Sequence, residues 1–233
     1  MKVFRIRVHF PDWLTRFFPQ SVWRMPAGEN KVYLTFDDGP VPEVTPAILD
    51  ILRQNDIKAT FFCVGDNVSK HPAIYRQILT DGHATGNHTY NHIKGLGSKT
   101  KHYLDNVEQA ARYIQSDLFR PPYGMMKQTQ FLALRKKYRI ILWDVISCDY
   151  DASLSPQQCI ANVMDFVRDG SIITFHDSQK ARNNVLEALP RVIQQLKQRG
   201  YSFDKIDPAE KKAHARHPFF KNQLSSIKRR NRA

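Results

Sequence analysis

The sequence predicts an α/β fold in which parallel strands alternate with helical crossovers. Three observations carry that expectation: seven short apolar, β-branched runs, stretches of helical periodicity between most of them, and acidic, imidazole and guanidinium residues at or just past the ends of those runs. In parallel α/β architectures such strand ends converge on one face, so residues distant in sequence share a pocket. An open doubly wound sheet and a barrel both satisfy the pattern.

The first run, 31–36, leads into Asp37-Asp38-Gly39-Pro40. Thr45 then reads as an N-cap and Pro46 as a first helical residue, ahead of Ile48, Leu49, Ile51 and Leu52. Runs 59–64 and 83–86 follow, the second opening onto His88-Thr89-Tyr90-Asn91-His92. Leu104, Val107, Ala111 and Ile114 repeat helical spacing before run 118–120, which leads into Pro121-Pro122-Tyr123-Gly124. Run 139–143 precedes Asp144, and Ser155-Pro156 introduces the helical series Ile160, Val163 and Val167. Run 171–175 ends at His176-Asp177, and Val185, Leu189, Val192 and Leu196 form a last helical stripe before Gly200 and run 201–203.

A length of 233 residues suits one α/β domain, and 42% apolar with 24% charged residues excludes wholesale disorder and a membrane bundle. The net charge of +13 is unevenly placed: residues 209–233 hold eight Lys and Arg against one Glu, and residues 1–30 five against two. The chain therefore divides into an N-terminal arm (1–30), a mildly basic central domain (31–208) that holds all the strand-end residues named above, and a basic tail (209–233). The tail, ending in Lys228-Arg229-Arg230-Asn231-Arg232, reads first as a solvated segment and second as an attachment to an anionic envelope or membrane surface. Nothing in the body supports a nucleic-acid reader. Trp13, Leu14, Phe17, Phe18, Val22 and Trp23 are expected to pack on the domain rather than rest on a membrane. Cys63, Cys148 and Cys159 are an odd, unpaired set, which favours a reducing compartment. With neither a signal-peptide pattern nor a run of about twenty apolar residues, the expectation is a cytoplasmic or peripherally membrane-associated protein.

The strand-end residues carry the chemistry. Two adjacent carboxylates at a turn, Asp37 and Asp38, can diverge so that one binds a metal while the other acts as a base; the same tetrapeptide also suits an ordinary turn. His88 and His92 are four apart, so a helical turn would put both imidazoles on one side, and with Asp38 they make a three-ligand site with room for water. That set fits zinc, and it also fits other divalent ions, including open iron sites. Arg120 can set the basicity of Asp37, and the stiff Pro121-Pro122 loop can aim a backbone N–H at an oxyanion. His176 can protonate a leaving amine with Asp177 as its orienting neighbour, while Trp143 reads as an apolar wall or a sugar-stacking ring.

This ordered set resembles the polysaccharide deacetylase family, the NodB-homology or carbohydrate esterase family four, over about residues 31–203. Thr-Phe-Asp-Asp-Gly followed by His-Thr-x-x-His is its most specific part. The resemblance implies a distorted (β/α) barrel with about seven parallel strands. It also implies Asp37 as general base, Asp38, His88 and His92 as ligands of a divalent metal, His176 as general acid, Arg120 tuning Asp37, and Tyr123 lending its backbone N–H to the oxyanion hole. One motif departs from the family pattern, in which an Asp lies three residues before an Asp-Trp pair; here Asp149-Tyr150 is preceded at that distance by Ile146. Asp144 is therefore expected to orient Arg120, with Asp149 as its rival. Ile173 stands where a leucine is usual and is expected to wall an acetyl methyl.

The expected activity is metal-dependent hydrolysis of the N-acetyl group of an N-acetylglucosamine-containing glycan. The alternatives are the same machinery acting on an O-acetyl sugar, a polyamine amide or a lipid-linked sugar, and a catalytically silent metal- or sugar-binding protein.

Overall fold

Period-two alternation along the strands gives the sheet an outer and an inner apolar core, and a third apolar cluster gathers Tyr103, Val107, Phe119, Phe131, Leu134 and Ile140. The structure, a computed structural model, describes Val8, His9, Thr15 and residues 19–206. Trp13, Leu14, Phe17, Phe18 and the basic tail lie outside the described residues. The elements run β1 (Lys31–Asp37), α1 (Thr45–Gln54), β2 (Thr60–Cys63), α2 (Gly65–Lys70), α3 (Pro72–Thr80), β3 (Ala84–Asn87), α4 (Thr100–Ala111), β4 (Leu118–Phe119), a 3₁₀ turn (Pro122–Gly124), α5 (Gln128–Leu134), β5 (Arg139–Ile140), β6 (Val145–Ile146), α6 (Pro156–Met164), β7 (Ile172–His176), α7 (Arg182–Gln198) and β8 (Ser202–Phe203).

Seven strands pair in the order β5-β4-β3-β2-β1-β7-β6, every pairing parallel, and β8 pairs with the start of β1. All seven expected strands are present, the fifth shortened to Arg139–Ile140. The additional strand β6 was not expected, because 139–146 reads as one apolar run interrupted only by Asp144. β5 and β6 are the opposite edges of the strand order, yet only residues 141–144 separate them. Five residue steps reach at most about 17 Å, so the sheet must curl into a half-barrel for its two edges to be joined. The segment before β1 lies along this join: Val22 N–H donates to the Ile140 carbonyl, Leu142 N–H donates to that of Val22, and Met25 N–H donates to that of Gly170. Val8 and Met25 are buried in the same region.

On the outer face Val32, Leu34 and Phe36 of β1 pack with Phe61, Ile173 and Phe175 against Ile48, Leu49 and Leu52 of α1 and Leu189 and Val192 of α7. Each such buried aliphatic side chain contributes about 1.5–3 kcal/mol. The inner face carries Tyr33, Phe62, Leu118, Ile141, Leu142, Trp143, Val145 and Ile172. The odd-numbered residues of β1 point inward, which brings Thr35 and Asp37 to the mouth of the half-barrel. Ser155 caps α6 in a reciprocal box, its hydroxyl accepting from Gln158 N–H while the Gln158 side chain accepts from Ser155 N–H. Thr45 is not an N-cap as expected. It is the first helical residue of α1, and its hydroxyl accepts from Val41 N–H and donates to Asp177. Among the described residues no helix is long and apolar enough to cross a membrane.

Candidate active site

Asp37 is the last residue of β1, in register with His176 at the end of β7. Asp38 follows with φ 88°, a left-handed conformation that turns its side chain away from that of its neighbour, and a cis Gly39-Pro40 bond comes next. Gly39 is required here, since a Cβ would lie 1.8 Å from Asp177 Oδ2. The Asp177 carboxylate accepts from Gly39 N–H (2.9 Å) and from the Thr45 hydroxyl (2.7 Å), and so fastens this turn. Burial pushes the Asp177 carboxyl up to about 8, against the lowering by these two hydrogen bonds. Its expected role beside His176 is thereby corrected: Asp177 serves the β1 turn.

Arg120 is fully buried, just past β4, with its guanidinium 4.0 Å from the centre of the Phe62 ring. Nη1 donates to Asp37 Oδ1 (2.6 Å), Thr35 Oγ1 (2.8 Å) and Thr174 Oγ1 (3.1 Å). Nη2 and Nε donate to the carbonyls of Leu142 (3.0 Å) and Ile141 (3.3 Å). A buried ion pair is costly unless its remaining donors are hydrogen-bonded, and each of the three guanidinium nitrogens here has an acceptor. Neither expected carboxylate orients Arg120. Asp144 instead accepts from Arg168 through both oxygens (2.8 and 3.1 Å) and from the Ser171 hydroxyl (2.6 Å), a structural cluster beneath β6 and β7. Asp149 is fully buried and holds His176, accepting from its Nδ1 (2.7 Å) and its backbone N–H (2.8 Å). Burial by itself would lower the His176 imidazole, but the Asp149 carboxylate overrides it and raises the pKa to about 9. His176 is thus an imidazolium at neutral pH, with Nε2–H left to donate.

Asp38, His88 and His92 come together with one ligand atom from each within 4.8 Å of the others. His88 and His92 do not lie on a helix as expected. They sit on the loop after β3, bent by left-handed Thr89 (φ 67°) and His92 (φ 57°), with ring centres 5.1 Å apart. His88 Nδ1 is 2.7 Å from the Arg120 carbonyl, which can only accept, so the proton is on Nδ1 and the Nε2 lone pair is free for a ligand. Burial, and then the charge of His92, push the His88 imidazole down to about 3, keeping it neutral. Asp38 Oδ1 lies 3.2 Å from His92 Nε2 and 3.7 Å from His88 Nε2, and it is buried with no hydrogen-bond partner among the described residues. Tetrahedral ligation at about 2.0–2.1 Å separates ligand atoms by about 3.3 Å, so the arrangement fits a divalent cation.

Tyr123 is left-handed (φ 61°) in the 3₁₀ turn, with its ring exposed and its centre 4.8 Å from that of His92. Trp143 is buried in the inner core against Gly124, where a Cβ would meet its ring at 2.5 Å, so it does not form an exposed sugar platform. Ile173 belongs to the outer core and is not an acetyl-facing wall. Tyr150, in contrast, meets the His176 ring edge-on at 4.9 Å. All three cysteines are free and buried, and burial raises the Cys63 thiol well above its ordinary value, which leaves it unreactive.

The family pattern for polysaccharide deacetylases matches residues 24–140. The chain belongs to this family. It is 32% identical over 188 residues to a peptidoglycan-N-acetylglucosamine deacetylase of Bacillus cereus, covering 78% of this chain and 88% of that one. It is 33% identical over 203 residues to a chitooligosaccharide deacetylase of Azorhizobium caulinodans, covering 78% and 96%. A crystal structure of a peptidoglycan N-acetylglucosamine deacetylase in complex with 4-naphthalen-1-yl-N-oxidanyl-benzamide superposes with TM-score 0.74 at 32% identity, over 83% of this chain and 93% of that one. A carbohydrate-esterase-family-4 pseudoenzyme from Bacillus anthracis superposes with TM-score 0.70 at 25% identity, over 81% and 68%.

Sequence reasoning missed the pairing of Asp149 with His176 and the two threonines that hold Arg120. The threonines had a signal: Thr35 and Thr174 lie two residues before Asp37 and His176, on the same strand face.

Proposed function

We propose that this deacetylase removes the N-acetyl group from N-acetylglucosamine-containing glycans, using a divalent cation, zinc by its nitrogen and oxygen ligands, held by Asp38, His88 and His92. A cation there supplies a Lewis acid toward the acetamide carbonyl and lowers the pKa of a water. Asp37, with Oδ1 held by Arg120, takes the proton of the attacking water. Tyr123 offers its backbone N–H to the oxygen on which negative charge develops. His176 passes the Nε2 proton to the departing nitrogen as the carbon–nitrogen bond breaks, and the products are acetate and an amine.

The observation that carries this reading is the pairing of Asp37 and His176 in register on adjacent strands beside the three-ligand cluster, each with its own buried partner. A silent binding protein needs neither an acid nor a base. The relatives that act on peptidoglycan and on chitooligosaccharides support a glycan substrate over a polyamine amide. Acetate release from N-acetylglucosamine oligomers and from peptidoglycan tests the proposal. Activity should be lost on chelation, restored by zinc, and reduced by a hundredfold or more in Asp37→Asn, in the range for general bases. Deacetylation that survives chelation would overturn it.

A further inference from the structure

Two lysines stand near the site, each over an aromatic ring that packs on a site imidazole. Lys94, just past His92, places Nζ 4.8 Å from the centre of the Tyr123 ring, which packs on His92. Lys180, just past β7, places Nζ 5.8 Å from the centre of the Tyr150 ring, which packs on His176. Both lysines are exposed, and neither has a carboxylate within ion-pair distance among the described residues. Some other exposed lysines are engaged, Lys70 with Asp66, Lys101 with Asp105 and Lys137 with Glu108; what sets Lys94 and Lys180 apart is their place over rings that pack on the site imidazoles. Beside His92 an apolar groove is lined by Lys94, Gly95, Leu96, Pro122, Tyr123 and Met125. An apolar floor with a free cation at the edge matches a pyranose ring that carries an anionic substituent, its carbon face on the aromatic and side-chain surface and its charge at the ammonium.

The geometry points to Lys94 and Lys180 as specificity-determining residues that select glycans bearing a carboxylate or phosphate on the sugars flanking the acetamido sugar to be hydrolysed. The inference rests on the proposed deacetylation and adds the charge of its substrate. Lysine is a point charge without the planar fork of arginine, so the contact reads charge rather than the shape of the anion.

Three tetrasaccharides test this: tetra-N-acetylchitotetraose, which is neutral; its 6-phosphorylated form; and an alternating N-acetylglucosamine and N-acetylmuramic acid oligomer with free lactyl carboxylates. The measured quantity is the ratio of kcat/KM for each anionic oligomer to that for the neutral one. Wild type should favour at least one anionic oligomer at about 50 mM salt, and that ratio should fall about fivefold in Lys94→Gln/Lys180→Gln, as expected for two exposed ion pairs. About 0.5 M salt should produce a similar fall in wild type, and the double Lys→Arg variant should keep the preference. The oligomer whose ratio falls identifies carboxylate or phosphate as the anion read. A ratio insensitive to both the Gln variants and salt, with all oligomers deacetylated, overturns the selection and leaves the proposed activity standing. Failure to hydrolyse any of the three removes both.

Discussion

Replacing Asp149 with Asn removes the charge that keeps His176 protonated while leaving an isosteric amide in its place. The imidazole stands at about 9 against an ordinary 6.5, a difference corresponding to about 3 kcal/mol in favour of the imidazolium. Without Asp149 the lowering by burial, the largest single cause, is opposed only by the weaker charges of Asp38 and Asp37, so His176 should titrate at or below its ordinary 6.5. At pH 7.5 at most about a tenth of the variant would then carry the proton needed for the leaving amine, and loss of orientation adds to this, for an overall loss of about a hundredfold. The assay is acetate release from a chitooligosaccharide between pH 5.5 and 10. Wild-type kcat/KM should hold up to a basic limb near 9, and the variant's limb should move down by two pH units or more. Folding supplies an independent readout. An imidazole raised in the folded state contributes stability that is complete below pH 6.5 and is lost as pH rises through about 9. The gap in unfolding free energy between wild type and variant should therefore be widest below 6.5 and narrow toward pH 10. A basic limb that stays at 9 in Asp149→Asn would refute the assignment of His176 as the acid held charged by this carboxylate.

Asp144→Asn should act on stability rather than turnover: loss of the Arg168 and Ser171 contacts costs about 1–3 kcal/mol, or roughly 3–9 °C in Tm, while kcat/KM changes less than twofold; a large loss of activity in a folded variant would restore a link between Asp144 and the site. Gly39→Ala drives a methyl into the Asp177 carboxylate and should cost about 2 kcal/mol or more, read as a lower denaturation midpoint. Zinc at about a hundred times its Kd should stabilise the wild-type chain by about 2.7 kcal/mol; in His92→Ala the thermal shift should largely vanish, and an equal shift in both would place the ion elsewhere.

The alternating pattern of β-branched runs and helical stripes made the parallel sheet legible, because each local period matches the face that the element buries. β6 was hidden because Ile141, Leu142 and Trp143 are apolar for a different reason: they line the inner core where the chain crosses from one sheet edge to the other. The gathering of Asp38, His88 and His92 could be read from residue type and order, but the supposed helical turn from His88 to His92 could not hold, since the positive φ angles at Thr89 and His92 leave little trace in residues other than glycine. The carboxylate partners were least legible. Asp144, Asp149 and Asp177 all lie near strand ends, and which donor each one meets depends on the curl of the sheet and on the left-handed residues at Asp38 and Cys148, neither of which has a sequence period.

Arg120 grips the proposed reaction centre twice, by unlike means. Its peptide oxygen steadies the His88 imidazole, and its side chain steadies the Asp37 carboxylate. Truncating the side chain would strip support from Asp37 while leaving His88 its anchor, whereas shifting the strand-to-loop junction at this residue would disturb both together. Under the proposed roles, cation affinity and base strength are therefore separable by substitution at Arg120 but locked together under any movement of the backbone that carries it.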